Sequence, residues 1–285
     1  MTGLILDMPE RDYHAHPALS STGARKLLPP SVPALFDYER KHPRKPTAAM
    51  LIGKAAHRLA LGVGSAIRVA DYPDFRSKEA REWRDAAIDA DEVPMLEGSD
   101  DLANVRGMAA ALKDHPDFPR LFDPERGNPE ASLFWTDPAS GVECRARLDF
   151  LPHRQDGRRL IVADYKTTSD LDPSSFARDA ATYGYPMQDE FYLRGIRELD
   201  IDPNPAFVFV AQMRRPPYLV AVRQIPDQDR HLARARNDAA LRIYAECTAS
   251  GHWPGYEGVQ RLDMPAWWRI QTEDLLDSLE SETAA

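Results

Sequence analysis

Two segments within residues 142–168 determine how this chain is interpreted. The first reads V-E-C-R-A-R-L-D-F-L from Val142, and the second reads R-R-L-I-V-A-D-Y-K-T-T and ends at Thr168. Apolar and polar residues alternate along both, which predicts β-strands because successive side chains on a strand point to opposite faces. The connection contains Asp156-Gly157, a dipeptide typical of hairpin turns. We therefore expect two neighbouring strands joined as a hairpin.

The alternation assigns side chains to the faces of these strands. On the second strand, Asp164 and Lys166 point the same way and Tyr165 points to the other face. On the first strand, one face is predicted to hold Val142, Cys144, Ala146, Leu148 and Phe150, and the other Glu143, Arg145, Arg147 and Asp149. Pairing of the two strands would place Asp149, Asp164 and Lys166 in one small volume.

Two carboxylates beside a lysine are typical of a metal site for phosphodiester hydrolysis. Neighbouring carboxylates resist joint ionisation unless a cation lies between them, and carboxylate oxygens are ligands that Mg²⁺ prefers. Lys166 adds a positive charge that can orient water or stabilise charge on a phosphate. The spacing alone also fits a simpler alternative, a hairpin with an ion pair between Lys166 and either aspartate.

The composition indicates a globular protein that is acidic overall. The 285 residues include 36 Lys and Arg against 45 Asp and Glu, a net charge of −9. Two cysteines are too few for a disulfide framework or a four-cysteine cluster. No apolar run has the length of a membrane helix, and the N-terminus lacks the pattern of a signal peptide. We expect a cytoplasmic protein with reduced thiols and no membrane association.

The charge is distributed unevenly along the chain. Between Ser20 and Arg58 there are eight Lys and Arg residues and two acids, and Arg214 and Arg215 lie in another segment without acids. Phosphate contacts normally supply most non-specific affinity for nucleic acid. Basic segments that face a channel would therefore let an acidic protein bind DNA. The alternative is that these segments are solvated faces with no partner.

The rest of the chain predicts helices before the strand pair and both element types after it. Helices are expected over about 47–61, 101–115, 173–182, 186–199 and 227–248, and strands over 130–136, 206–213 and 218–225. This order predicts an α/β (α+β) fold with a central mixed sheet flanked by helices. One domain is expected over residues 1–285, with a helical N-terminal portion of about 1–120, a core of about 121–250 and a polar tail.

Six motifs, taken together and in order, resemble a known nuclease family. They are S-S-T-G-A-R-K-L-L from Ser20, P-T-A-A-M-L-I-G-K-A-A-H ending at His57, D-F-R-S-K-E-A-R-E-W-R-D-A-A from Asp74, G-V-E-C-R-A-R-L-D from Gly141, D-Y-K-T-T from Asp164 and Y-P-M-Q-D-E-F-Y from Tyr185. The set resembles the RecB-like branch of the PD-(D/E)XK nuclease superfamily, and within it the exodeoxyribonuclease VIII (RecE) C-terminal nuclease of phages and prophages. The resemblance spans most of the chain and implies a restriction-endonuclease-like fold.

The resemblance implies roles for individual residues. The implied metal ligands are His57, Asp149, Asp164 and the backbone carbonyl of Tyr165. Lys166 would be the catalytic lysine, and the implied cofactor is Mg²⁺, for which Mn²⁺ can substitute. Gln188 and Tyr192 would lie on a helix that faces the active site and the DNA. The charge pattern adds Arg214 and Arg215 as DNA-binding candidates.

The chain departs from the family pattern at two positions. Leu148 stands where the family has proline before Asp149, and the acid before Tyr165 is an aspartate rather than a glutamate. Neither departure removes a ligand. Glu130 is a further carboxylate that could lie near a second metal, although a glutamate at the start of a strand is commonly solvated.

The resemblance also implies a function and partners. It implies a metal-dependent exonuclease that digests double-stranded DNA from the 5′ end and leaves 3′ single-stranded tails for recombination. The implied partners are DNA ends, a single-strand annealing protein of the RecT type and further copies of the chain in a homo-oligomeric ring. Two alternatives remain open, a structure-specific endonuclease on the same fold and a non-catalytic DNA-binding module.

Overall fold

The structure, a computed structural model, describes residues 2–283, and its N-terminal portion is mainly helical. The helices there are α1 (Glu10–Ala15), α2 (Ser21–Lys26), α3 (Pro33–Lys41), α4 (Ala48–Leu61), α5 (Lys78–Asp89), α6 (Asp100–Lys113) and α7 (Phe118–Leu121). The short strands are β1 (Gly3–Ile5), β2 (Leu19–Ser20), β3 (Ile67–Ala70) and β4 (Val93–Leu96). The side chains of Thr47, Ser77 and Ser99 each accept a backbone N–H at the start of α4, α5 and α6, which is why these helices begin there.

A seven-stranded mixed sheet forms the centre of the fold. Its later strands are β5 (Gly127–Thr136), β6 (Glu143–Pro152), β7 (Ile161–Thr168), β8 (Ala206–Met213) and β9 (Val220–Arg223). The strand order is β1-β5-β6-β7-β8-β9, with β2 parallel to β6, and β3 and β4 form a separate two-stranded sheet. Along the main path only β7 and β8 are parallel. The predicted mixed sheet flanked by helices is confirmed.

The parallel pair β7 and β8 requires a crossover, because parallel neighbours cannot be joined by a tight turn. The connection consists of α8 (Pro173–Tyr183) and α9 (Tyr185–Glu198). Gly184 lies between these helices with a φ of 74°, a left-handed conformation that glycine adopts without strain. After β9, the chain forms α10 (Asp227–Ser250), which packs on α9.

The two faces of the sheet pack into separate apolar cores. Leu148, Val162 and Phe209 face the core that includes residues of α2, α9 and α10. Ala163, Tyr165 and Val210 face the core that includes residues of α4, β4 and α6. The alternation predicted for β7 therefore holds, since its even-numbered and odd-numbered residues enter different cores.

The predicted alternation of β6 fails near its end. Cys144, Ala146 and Leu148 belong to one core, but Phe150 belongs to the other. Opposite this point on β5, Glu130 has a φ of 55°, which is uncommon for a residue other than glycine. This local conformation interrupts the regular pairing of β5 with β6 at Asp149, so Phe150 does not share a face with the earlier residues.

Two compact units are found in the chain, Met1–Trp253 and Pro254–Ala285. The second contains α11 (Ala266–Thr283), where the sequence suggested only a polar tail. Its exposed apolar side chains include Trp267, Trp268 and Leu275. The expectation of one domain over residues 1–285 stays a prediction. None of the helices within residues 2–283 combines the length and apolar character needed to cross a membrane.

Candidate active site

The candidate site opens where β6 and β7 separate. The two strands are paired in regular register only at Phe150 and Ala163. Beyond that point, the backbone N–H of Tyr165 donates to the Asp149 carboxylate at 2.6 Å. A side chain of β6 thus takes the place of a backbone acceptor, and the strands diverge around a cavity of about 600 Å³. The cavity is bounded by α1, α4 and both strands.

Asp164 and Lys166 lie beside each other on β7, as the alternation predicted. The Lys166 ammonium contacts the Asp164 carboxylate. Asp164 is 1% exposed, and its Oδ1 accepts a hydrogen bond from the Gln188 side chain on α9 at 2.8 Å. Its Oδ2 is buried and lies against the ammonium without hydrogen-bond geometry. Gln188 therefore fixes the orientation of this carboxylate, with Oδ2 turned toward Lys166.

His57 joins the site from helix α4. Its Nε2 lies 3.3 Å from Glu130 Oε1 and 3.5 Å from Asp149 Oδ1. Gly64 packs against the other side of the ring, where a Cβ atom would stand 3.5 Å from Nδ1. Glu130 also contacts the guanidinium of Arg147. The structure thus places Glu130 within the cluster rather than in solvent.

The ionisable groups of the cluster shift one another's pKa values. Burial opposes a charge on His57, but Asp149 and Glu130 outweigh burial and raise the pKa of His57 to about 9. Burial and the negative charge of Asp149 raise the pKa of Asp164, despite its contact with Lys166. Burial likewise raises the pKa of Glu130. Burial also opposes the charge of Asp149, but His57, Lys166 and the Tyr165 N–H outweigh burial and lower its pKa, so the two aspartates of the cluster shift in opposite directions.

One wall of the cavity consists of residues that sequence reasoning did not assign to the site. The guanidinium groups of Arg145 and Arg147 lie over the ring of Tyr13, 4.7 and 5.2 Å from its centroid. They also donate to backbone carbonyls at Tyr13 and Met8, which attaches α1 to β6. The alternation of β6 already put both arginines on the face of Asp149, whereas nothing in the sequence indicated α1.

A second contact closes the cavity near helix α4. Lys54 Nζ lies 2.7 Å from Glu10, and Ser65 donates to the same carboxylate at 2.8 Å. Lys54 also lies 3.5 Å from Asp91. These ion pairs compensate the positive charge of Lys54, which precedes His57 by about one helical turn. They also hold α1 against the site.

The remaining predicted residues divide between two places. Tyr192 lines the same cavity, and burial raises its pKa well above the ordinary value. Gln188 contacts Asp164 directly, so the face shared by Gln188 and Tyr192 does point toward the site. Arg214 and Arg215 do not line this cavity but a separate hollow that also includes Ser169.

The chemistry of these donors fits a hard divalent cation. Asp149, Asp164 and Glu130 supply carboxylate oxygens, the ligand type that Mg²⁺ prefers, and His57 adds an imidazole. The buried Asp164 Oδ2 contacts only the Lys166 ammonium among the described residues, so a cation would take the place of that contact. Within residues 2–283 no three acidic, histidine or cysteine side chains already converge as a finished ligand set. Instead, His57 contacts Glu130 and Asp149, and Lys166 contacts Asp164.

Comparison with a solved structure agrees with this fold. A crystal structure from Eubacterium rectale named "Putative exonuclease" is similar, with a TM-score of 0.60, 10% identity and coverage of 92% of this chain and 96% of that chain. At this identity the likeness shows the fold. No curated protein matches the sequence. The RecE-type assignment stays a prediction.

A family model described as "PDDEXK-like domain of unknown function (DUF3799)" matches residues 33–263. The match covers the candidate residues from His57 to Tyr192, together with the whole of the sheet from β5 to β9. The superfamily resemblance expected from the sequence is thereby confirmed. The chain belongs to the PDDEXK-like family DUF3799 and therefore to the PD-(D/E)XK nuclease superfamily.

Proposed function

We propose that this protein is a metal-dependent exonuclease that digests double-stranded DNA, with 5′ to 3′ polarity, and leaves 3′ single-stranded tails for recombination. The observation that supports it most directly is the group of Asp149, Asp164 and Lys166 at the divergence of β6 and β7. Asp149 and Lys166 line one cavity, and Asp164 lies buried beside Lys166, where Gln188 orients it. A protein that only bound DNA would have no need of buried carboxylates beside a lysine.

In this proposal Asp149, Asp164, His57 and the Tyr165 carbonyl hold Mg²⁺, with Mn²⁺ as a substitute. The bound ion would polarise the phosphate and lower the pKa of an attacking water. The Tyr165 N–H holds Asp149 in place through its 2.6 Å hydrogen bond. Glu130 contacts His57 and so restrains the imidazole ring.

Lys166 supplies the positive charge nearest to the reacting phosphate. Its ammonium is held by Asp164, which keeps the side chain pointing into the cavity rather than into solvent. In the transition state it donates to a non-bridging phosphate oxygen, where negative charge increases. Donors fixed in advance for developing charge commonly contribute a factor of about 10²–10³ in rate.

The side chains that line the cavity favour a nucleic acid strand as the substrate. Four basic side chains, Lys54, Arg145, Arg147 and Lys166, line the walls together with Tyr13, Tyr185 and Tyr192. Aromatic faces beside cations suit the stacked bases and phosphates of a nucleic acid strand. Gln188 and Tyr192 present α9 to that strand.

An assay with linear and circular duplex DNA of the same sequence tests the proposal. In Mg²⁺ we expect degradation of the linear form alone, with digestion starting at 5′ ends. Nicking of the circle would instead support the endonuclease alternative. Absence of cleavage on both forms, by a folded protein, would support the non-catalytic alternative and contradict the proposal.

We further propose that the protein acts as a homo-oligomeric ring around DNA, in the cytoplasm, with a single-strand annealing protein of the RecT type. A ring would retain DNA topologically, so that tight phosphate binding would not be needed at every step. Light scattering should then give a mass well above the 32.1 kDa of one chain. A monomer that still digests long tracts per encounter would contradict the ring.

A further inference from the structure

A second concentration of basic side chains lies outside the candidate active site. It surrounds a hollow of about 350 Å³ near the connection between β6 and β7. We name it the basic hollow and define it by five residues, Arg120, Arg126, His153, Arg158 and Arg159. They come from helix α7, the 3₁₀ turn before β5 and the β6–β7 connection. No acidic residue is among the described residues that line it.

The segment Ser20–Arg58, which the sequence identified as the most basic, is different. Six of its eight basic side chains form ion pairs with carboxylates. The pairs are Lys26–Glu39, Arg40–Asp37, Lys41–Asp37, Arg44–Glu39, Lys45–Asp85 and Lys54–Glu10. Arg25 and Arg58 donate to backbone carbonyls. Most of the positive charge in this segment is therefore compensated within the protein.

The positive charge of the basic hollow is compensated much less by nearby carboxylates. Arg126 lies 3.2 Å from Asp123, and Arg159 donates to the carbonyls of Asn204 and Pro205 at 2.9 and 3.1 Å. Among residues 2–283, neither Arg120 nor Arg158 forms an ion pair with a carboxylate, and both are exposed. Guanidinium groups match the geometry of phosphate oxygens and bind them in pairs. A concave arginine cluster of this kind, in a chain with a net charge of −9, favours a polyanionic ligand.

The distance between the basic hollow and Lys166 can be estimated along strand β7. Ile161 lines the hollow at the start of β7, and Lys166 follows five residues later on the same strand. A strand rises about 3.3 Å per residue, so the two positions lie roughly 17 Å apart along β7. Successive phosphates of one DNA strand advance about 3.4 Å along the axis. Residues 162–165 between them are buried, so a DNA strand must pass around the protein surface, and the separation corresponds to at least about five nucleotides.

We propose that the basic hollow binds the phosphate backbone of DNA at least about five nucleotides from the scissile phosphate. The proposal rests on the proposed function, since it identifies where the substrate of that site is also held. Arg159 is held in place by its hydrogen bonds to the carbonyls of Asn204 and Pro205, just before β8. Arg120 and Arg158 contact phosphate oxygens. The contact is independent of base sequence because it involves only the backbone.

The test compares two double charge reversals with the same change in net charge. Arg120→Glu with Arg158→Glu removes the proposed phosphate contacts, and Arg81→Glu with Arg242→Glu serves as the control. Arg81 on α5 and Arg242 on α10 are exposed and do not line the hollow. Binding is measured with Ca²⁺ on DNA duplexes of about 30 and about 5 base pairs, chosen from the spacing of phosphates.

For the long duplex, we expect the hollow variant to bind at least about tenfold more weakly than the control variant near 100 mM salt. The dependence of log K on log salt should become shallower by about two, because two phosphate contacts are lost. The short duplex, which cannot span both places, should bind the two variants equally. Equal affinity and equal salt dependence of both variants on the long duplex would overturn the proposal.

Two further measurements keep the outcome interpretable. If the glutamate pair lowers the thermal unfolding midpoint, Arg120→Gln with Arg158→Gln replaces it, with a weakening of about threefold or more expected from the same contacts. Hydrolysis by the unmodified protein in Mg²⁺ is recorded in parallel. Hydrolysis combined with identical binding of both variants overturns the basic hollow alone. Binding that differs as expected, without hydrolysis, supports the hollow and contradicts the proposed function.

Discussion

Two pairs of carboxylates, Asp149 with Asp164 and Asp189 with Glu190, differ in what surrounds them. Asp149 lines the cavity where β6 and β7 diverge, and Asp164 lies buried beside Lys166, where Gln188 links it to α9. The next two residues of α9, Asp189 and Glu190, are 0% and 2% exposed and face away from that cavity. Burial of a carboxylate is thus common to both pairs and does not by itself indicate a functional site.

The two pairs differ in how fully nearby cations compensate their negative charge and in whether a cavity adjoins them. Glu190 Oε1 accepts hydrogen bonds from Arg197 at 2.6 Å and Arg234 at 2.9 Å, which joins α9 to α10. Asp164 has one lysine and a second carboxylate nearby, and these two neighbours, Lys166 and Asp149, line an open cavity. A closed arrangement stabilises the fold, whereas an open, incompletely compensated one can accept a cation and a phosphate. The two pairs should therefore respond in opposite ways to substitution.

The largest effect is expected from the open pair. Asp149→Asn, Asp164→Asn and Lys166→Ala should each lower the cleavage rate by at least about 10²–10³. The free energy of unfolding should be retained or increased in Asp164→Asn, because burial and Asp149 disfavour its charge in the folded state. Steady-state cleavage and urea unfolding measure the two properties. Asp89→Asn, an exposed position on α5, is the matched control.

Glu190→Gln should show the reverse combination. Glutamine keeps an oxygen that can accept from Arg197 and Arg234 but removes the buried charge that compensates them, and both arginines are partly exposed, which reduces the loss. We expect a decrease of about 2 kcal/mol in the free energy of unfolding, with cleavage per folded molecule close to that of the original protein. Glu198→Gln, exposed on the same helix, controls for the change of charge. A stable Glu190→Gln variant without activity would reverse our assignment of the two pairs.

Asp189→Asn should alter how stability depends on pH. Burial, with a smaller contribution from Glu190, raises the pKa of Asp189 to about 8, and neither of its carboxylate oxygens has a hydrogen bond among the described residues. A folded-state pKa above the unfolded value means that stability is greatest at low pH and is lost as pH rises from about 4 through about 8.

The asparagine variant lacks this loss. Between about pH 5 and pH 9, its free energy of unfolding should fall less than that of the original protein, by about 4 kcal/mol, because about three pH units of this loss lie in that range. Urea unfolding at both pH values gives the difference directly, and effects of other groups cancel in it. Parallel pH profiles of the two proteins would show that Asp189 does not titrate in this range.

The smallest effect is expected for Gln188, which connects the two regions. Gln188→Ala removes the 2.8 Å hydrogen bond to Asp164 and leaves every proposed metal ligand in place. We expect cleavage to fall by about three- to tenfold, the cost of one hydrogen bond of about 1 kcal/mol. Gln188→Glu should be worse than Gln188→Ala, because it adds a further negative charge beside Asp164. Equal cleavage rates for the two variants would show that a charge at position 188 does not influence the site.

Much of the candidate site could be predicted from local pattern. Alternation on β7 placed Asp164 and Lys166 on one face, and the spacing of Gln188 and Tyr192 placed both on one side of a helix. The strand Ala206–Met213 was predicted with its observed bounds. These features depend on periods of two and of 3.6 residues, which a sequence displays directly.

Features that depend on distant contacts were not visible in the sequence. The positive φ of Glu130 and the displacement of Phe150 arise from the pairing of β5 with β6. The Ser20–Arg58 segment was predicted to be basic, but its acidic partners include residues outside it, Glu10 and Asp85. The basic hollow collects arginines from three separate segments. The helix α11 did have a local signal, since Trp268, Leu275 and Leu279 recur at intervals of seven and four.

The most direct test of the account is binding of Mn²⁺ followed by electron paramagnetic resonance, together with cleavage in the same samples. We predict that the original protein binds Mn²⁺ and cleaves linear duplex, that Asp164→Asn loses both, and that excess chelator abolishes cleavage. Asp89→Asn should behave like the original protein. Cleavage at an undiminished rate by Asp164→Asn, or by the original protein in excess chelator, would contradict a metal-dependent site at the divergence of β6 and β7.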